Sequence, residues 1–166
     1  MNLKKYTTLF LDRDGVINCK IDGYVKCFSE FNFIDGVLES ISDLTDYFDR
    51  IIIVTNQQGI GKQLMTDKEL IQLHSDMLKE IEKNGGKIDK IYYCPHLASL
   101  KCNCRKPEPG MLKKAKQDFK EIMFENSILL GDSDTDILAA EKVGVQAIKV
   151  CSEYTLTHWT RDFLLN

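Results

Sequence analysis

This chain has no run approaching the roughly 20 consecutive apolar residues that a membrane-spanning helix needs. It shows no secretory signal: Met1–Lys5 is polar, and the apolar stretch behind it, about five residues, is too short for a signal core. It has no basic excess. The 22 Lys and Arg against 25 Asp and Glu give a net charge of −3. That balance argues against a polyanion such as duplex nucleic acid, yet leaves a small anionic ligand open, because a local field can oppose the total. No internal repeat, low-complexity tract or linker divides the sequence. The six cysteines carry no sign of a disulfide framework, which belongs to secreted chains. We expect a cytoplasmic monomer with no membrane or nucleic-acid partner, folded as one domain over residues 1–166 around one sizeable core.

Short apolar runs alternate with helical patterns throughout. Thr7–Leu11 reads as the first strand, ended by Asp12-Arg13-Asp14-Gly15. Cys19–Phe31 has no clear period and reads as a small flap beside those acids. Val37, Ile41, Leu44 and Phe48 share a helical face after Asp35-Gly36. Arg50–Thr55 is a continuous β-branched run, the mark of a buried parallel strand. Asn56–Lys62 then forms a polar, glycine-bearing loop. Thr66 with Glu69 makes a capping box for a helix reaching about Asn84. Ile88–Cys94, Ser127–Leu130 and Val145–Val150 complete the strands. Helices begin near Met111, Asp134 and Thr155, and that from Asp134 is expected to bury Ile137, Leu138 and Ala140. The pattern predicts an α/β fold: a three-layer, Rossmann-like parallel sheet with helices on both faces, no large cap domain and one loop insertion.

In a parallel sheet the C-terminal strand ends lie along one edge, where ligands bind. Asp12 and Asp14, Thr55, and Asp132 all fall there. Singly, each has a bland reading as a turn former or cap. Together the acids would repel one another unless a cation sat among them, and an all-oxygen set favours Mg²⁺.

The insertion at 94–110 holds Cys94, His96, Cys102 and Cys104 within 11 positions. Three thiols and an imidazole make a tetrahedral zinc set with no position left for water, hence structural. The alternative is two surface cysteine pairs and a stray histidine. Cys19, Cys27 and Cys151 lie outside and read as ordinary thiols. Arg105 and Lys106 follow the last ligand directly, so a metal here would aim a positive pair at the active edge.

Asp12-Arg13-Asp14-Gly15, the Val54-Thr55-Asn56 strand end, Lys106 and Gly131-Asp132-Ser133-Asp134-Thr135-Asp136 resemble, in order, the motifs of the haloacid-dehalogenase superfamily of phosphohydrolases. The resemblance spans almost the whole chain. It implies a phosphatase in which Asp12 is the nucleophile and Asp14 the general acid and base. Mg²⁺ would rest on Asp12, Asp14 and Asp132. Thr55, Lys106 and the Asn56 or Gln57 amide would hold the phosphoryl oxygens, Ser133 would line the site, and Asp136 would position Lys106. Cys-Pro-His with Cys-x-Cys-Arg-Lys-Pro is similar to the small zinc-containing branch, which includes heptose bisphosphate and histidinol-phosphate phosphatases. The resemblance thus implies a small phosphorylated metabolite as substrate. Gly23-Tyr24-Val25 and Asn56–Lys62 lean to the heptose enzymes. The five-residue spacing from His96 to Cys102 and the Thr155–Trp159 tail lean to the histidinol enzymes, although Val16 and Gln58 depart from them. Arg105 would meet a second phosphate on the substrate.

Overall fold

The computed structural model describes residues 5–166. Five parallel strands lie in the order β3-β2-β1-β4-β5: β1 Thr8–Leu11, β2 Arg50–Asn56, β3 Lys90–Cys94, β4 Ser127–Gly131 and β5 Gln146–Lys149. The connecting helices are α1 Val37–Tyr47, α2 Asp67–Lys83, α3 Gly110–Asp118 and α4 Asp134–Glu141, with α5 Leu156–Leu165 closing the chain. Among the described residues, no helix is long and apolar enough to cross a membrane.

Side chains alternate faces along a strand, and here the alternation divides two cores. Leu9 and Leu11 of β1, Ile51 and Ile53 of β2, and Ile128 and Leu130 of β4 pack with α1, α2 and α5 residues such as Ile41, Leu73 and Trp159. Their neighbours Phe10, Ile52, Val54 and Leu129 face the other way, onto Met111, Leu112 and Ala115 of α3 and Ala139 and Ala140 of α4. The result is the expected three-layer arrangement. β1 is buried on both faces and flanked on both edges, at the centre of the sheet.

Helix ends follow local chemistry. Thr66 caps α2, its hydroxyl accepting from the Glu69 amide at 3.2 Å while Glu69 accepts from the Thr66 amide at 2.7 Å. α4 departs from expectation. It buries Asp136, Ala139 and Ala140, leaving Leu138 46% exposed and Ile137 only partly covered. The 136, 139, 140 spacing is a helical face, and that face turns Asp136 into the interior.

Strand order reverses beside β1: the chain runs outward through β2 and β3, then crosses back to β4 on the other side. The crevice at the ends of β1 and β4 is therefore the topological switch point.

Candidate active site

The ladder sets the first geometry. Leu11 pairs with Leu130 and Ile53, and the Asp12 amide donates to the Leu130 carbonyl at 3.0 Å. Asp12 and Asp132 thus leave adjacent strands side by side. Gly15 follows at φ +83°, where a Cβ would lie 2.3 Å from Asp132 Oδ2. Only glycine lets the turn pass so close to that carboxylate.

Behind the turn the backbone is tied down. The Arg13 carbonyl accepts from the amides of Val16, Ile17 and Asn18, and the Arg13 amide donates to Asp12 Oδ1 at 2.8 Å. A cleft of about 230 Å³ opens above it, lined by both acids, Lys20, Tyr24, Gln57, Lys106, Asp132 and Ser133.

Lys106 reaches this point from the insertion, which strand logic does not place. The side chain of Asn56 clamps its main chain: the Lys106 amide donates to Asn56 Oδ1 and Asn56 Nδ2 donates to the Lys106 carbonyl, each at 3.0 Å. The buried ammonium contacts Asp12 Oδ1 at 3.0 Å, Asp136 Oδ1 at 2.5 Å and the Val54 carbonyl at 2.7 Å. Asp136 is in turn held by Ser133, whose hydroxyl and amide donate to Oδ2 at 2.8 and 3.1 Å.

These contacts set the acids apart. Burial pushes Asp12 up to about 7 against the pull of Lys106, and the nearby Asp136 adds to the rise. Burial would also raise Asp14, but the Arg13 guanidinium and hydrogen bonds from Asn18 and Gln57 outweigh it and hold that carboxyl below its ordinary range. For Lys106, burial opposes the charge, and Asp12 and Asp136 more than restore it.

The carboxylates offer a cation a place. One oxygen each of Asp12, Asp132 and Asp136 lies within 4.8 Å of the others. Asp136 is already taken by Lys106 and Ser133. Asp132 Oδ1 is buried without a partner, although Lys20 pairs with Oδ2. A buried, unpartnered carboxylate oxygen is costly unless an ion completes it, so the donor set fits a hard divalent cation.

The four predicted sulfur and nitrogen ligands also converge. Cys94 Sγ lies 3.0 Å from Cys104 Sγ and 3.5 Å from both Cys102 Sγ and His96 Nδ1, while His96 Nδ1 lies 3.2 Å from Cys104 Sγ. The sulfurs are too far apart for a disulfide of about 2.0 Å. They sit inside the edges of about 3.6–3.8 Å that a zinc tetrahedron would have, Cys94–Cys104 the furthest inside, so binding an ion would spread them.

Other predicted residues have distinct surroundings. Thr55 is fully buried and accepts from Gln57 Nε2 at 2.9 Å, and the same amide group donates to Asp14 Oδ2 at 2.8 Å. The Gln57 main-chain amide is committed to the Cys94 carbonyl at 2.8 Å. Arg105 does not line the cleft, but its Nη1 is buried without a partner. It lies close enough to Tyr24 to help lower the tyrosine's pKa, after Lys62 and Gln58, which hydrogen-bond the hydroxyl. Lys62 Nζ stands 5.1 Å from the Tyr24 ring centroid, so it leans on the rim of the cleft.

Three residues to which the sequence motifs assign no role also join the site. Lys20 pairs with Asp132 from the flap. Arg13 is fully buried, with Nη2 on both Asp14 oxygens at 2.9 and 3.2 Å and Nη1 at 3.0 Å from His74 Nε2. Burial and the adjacent guanidinium push His74 down to about 3, so it is neutral. A signal for His74 existed: it shares the α2 face of Leu70, Met77 and Ile81.

Comparison with known proteins agrees with this geometry. The HAD-hydrolase-like family matches residues 103–163. A D-glycero-beta-D-manno-heptose-1,7-bisphosphate 7-phosphatase of Vibrio cholerae is 42% identical over 144 residues, 82% of this chain and 76% of its own. The D-glycero-alpha-D-manno-heptose-1,7-bisphosphate 7-phosphatase of Campylobacter jejuni is 41% identical over 150 residues, 90% of this chain and 84% of its own. The crystal structure of D,D-heptose 1,7-bisphosphate phosphatase from B. bronchiseptica, complexed with magnesium and phosphate, superposes with a TM-score of 0.88 at 29% identity, covering 96% of this chain and 98% of that one. With its motifs in order at the switch point of this sheet, the chain belongs to the haloacid-dehalogenase-like family of phosphatases.

Proposed function

We propose that the chain removes the C7 phosphate of D-glycero-D-manno-heptose 1,7-bisphosphate through a phosphoaspartate on Asp12. The observation that carries this reading is the identity of 41–42% to heptose bisphosphate 7-phosphatases over most of the chain, in a protein whose Asp12 lies between Lys106 and Asp132. Asp12 attacks phosphorus as the ester P–O bond breaks; Asp14, kept ionised in the free protein by Arg13, Asn18 and Gln57, takes up a proton from solvent when the anionic phosphate binds beside it and gives that proton to the departing C7 oxygen. Asp14 then takes a proton from the water that hydrolyses the phosphoaspartate, releasing inorganic phosphate. Lys106 and Thr55 hold the non-bridging oxygens, and Asp136 and Asn56 keep Lys106 in place.

Asp12, the main-chain carbonyl of Asp14, and Asp132 would hold Mg²⁺, which when bound offsets the repulsion between carboxylate and phosphate. Cys94, His96, Cys102 and Cys104 would hold a structural Zn²⁺ that fixes the approach of Arg105 and Lys106. The Lys62–Tyr24 rim supplies a donor for the sugar's second phosphate, and Arg105, whose unpartnered Nη1 is buried behind the cleft, would join it by turning outward. We read residues 1–166 as a single cytoplasmic catalytic unit, active as a monomer.

The test compares kcat/KM for heptose 1,7-bisphosphate and histidinol phosphate in wild type, and phosphate release by Asp12→Asn. A preference for the heptose ester of at least about 10²-fold and loss of at least about 10⁴-fold in the variant are expected. A preference for histidinol phosphate overturns the substrate, and turnover by the variant overturns the nucleophile.

A further inference from the structure

We infer that Arg13 and His74 form an orienting arm for Asp14, reaching from α2 through the floor of the site to the proton donor. The inference rests on the reading of Asp14 as the group that protonates the leaving oxygen, and it assigns that group's aim to residues outside the reaction itself.

The geometry is directional. Arg13 bonds both acids by different parts: its main-chain amide holds Asp12 Oδ1 at 2.8 Å, and its Nη2 straddles the two Asp14 oxygens. A guanidinium held by one carboxylate can still pivot about that contact. Here the opposite nitrogen, Nη1, is fixed on His74 Nε2 at 3.0 Å, 61 positions along the chain. Guanidinium only donates, so Nε2 is the bare nitrogen and the imidazole proton sits on Nδ1.

His74 is itself confined. It is 6% exposed on α2, and its ring lies edge-on to Tyr93 at 6.2 Å, whose hydroxyl donates to Asp67 Oδ1 at 2.8 Å. Arg13 Nε has no partner, and the guanidinium lies 5.9 Å from the Phe31 ring centroid. His74 therefore supplies the one fixed acceptor on the far side of the guanidinium among the described residues. Without it Nη1 would be buried and unpaired, and the fork would turn toward another acceptor and carry Asp14 with it. Arg13 and His74 are positioning residues: the Arg13 guanidinium is fully buried beneath the cleft and spent on Asp14 and His74, and His74 does not line the cleft.

A positioning role at the proton donor has a signature that loss of folding lacks. An alkyl ester needs its leaving oxygen protonated, whereas p-nitrophenyl phosphate does not. Values of kcat/KM report the steps through ester cleavage, so later water activation does not enter. Both esters are measured for wild type, His74→Leu, His74→Gln, Arg13→Lys and Asp14→Asn, all as full chains with bound metals. The alkyl ester is heptose 1,7-bisphosphate, or histidinol phosphate if that is the one turned over.

We expect His74→Leu to lose about 10-fold on the alkyl ester and under about 2-fold on p-nitrophenyl phosphate, a fraction of the 10²–10⁴ that a proton donor contributes. His74→Gln, whose Oε1 accepts a hydrogen bond, restores most of the loss. Arg13→Lys shows the same discrimination and carries the test should His74→Leu not fold. Equal losses on both esters, or none, while Asp14→Asn discriminates between them overturn the arm. An Asp14→Asn variant that does not discriminate overturns the proton-donor reading beneath it.

Discussion

The acidic cluster and the thiol–imidazole cluster are both compact enough for one ion, yet the chain builds them in opposite ways. Asp12 and Asp132 are 120 positions apart and meet because β1 and β4 are neighbours in a ladder with both faces buried. Their cationic neighbours, Lys106 and Lys20, are already in contact with them. Cys94, His96, Cys102 and Cys104 lie within 11 positions, in a segment whose only regular piece past Cys94 is a single turn at Ala98–Leu100. The first cluster is shaped by the fold before any ion arrives. The second hangs from β3 through Cys94 and from β2 through the Gln57 and Asn56 hydrogen bonds, has almost no regular structure between those ties, and places Lys106 two residues after Cys104. Preorganisation at one cluster is thus borrowed from the other.

The sharpest way to break this contrast is to remove each ion separately. Cys104→Ser should abolish zinc retention and lower stability by several kcal/mol, moving Tm down by about 10 °C. It should also cut kcat by about 10²-fold as Lys106 loses its aim. Transfer to Mg²⁺-free buffer without chelator should stop turnover while moving Tm by less than about 3 °C. Metal analysis and thermal unfolding measure both, and equal shifts in Tm would erase the distinction.

Asn56→Ala probes the join between the two regions. It removes both clamps on the Lys106 main chain and leaves the zinc ligands intact. We expect kcat to fall about 10–100-fold with zinc content unchanged; loss of zinc would mean that β2, rather than the metal, holds the insertion.

The smallest effect lies away from both clusters. Asp89 accepts from the Ile51 amide at 2.9 Å and pairs with Lys87 at 2.9 Å and Arg50 at 3.1 Å. Burial opposes its charge, but these partners win and hold the carboxyl below 3.8. A folded-state pKa below the unfolded one contributes stability above about pH 3.8 that is lost as pH falls through the folded value. Asp89→Asn should remove that acid-dependent part, cost on the order of 1–2 kcal/mol at neutral pH and leave kcat unchanged. Unfolding followed between pH 3 and 7 checks the sign.

Much of this architecture is legible because its physics is local. β-branched runs such as Ile51–Val54 are strands, helical periods mark crossovers, and parallel strands force their ends to one edge. The placing of Asp12 and Asp132 at that edge followed from this, and the four zinc candidates from their close spacing alone. Arg13 did not. A charged residue between two acids reads as solvent-facing, and nothing near it in sequence announces a partner on α2. Burying a guanidinium requires partners on both sides, and here only the nearer one, Asp14, adjoins it in sequence; the other is a tertiary contact. Leu138 misled for the complementary reason: its hydrophobicity points inward, while the helix phase is fixed by Asp136, which Lys106 and Ser133 draw into the interior.

The strand order also has a consequence in time. β1 is made first but sits at the centre, and its β4 edge stays open until residues 127–131 have been synthesised. At roughly 5–20 residues per second, the 120 positions from Asp12 to Asp132 take about 6–24 s. Until then the β4-facing edge of β1 has no strand to pair with, and an open apolar edge is prone to mispairing. Chaperone dependence should therefore rise steeply in variants that slow the pairing of β4, even when the finished enzyme is as stable as the parent.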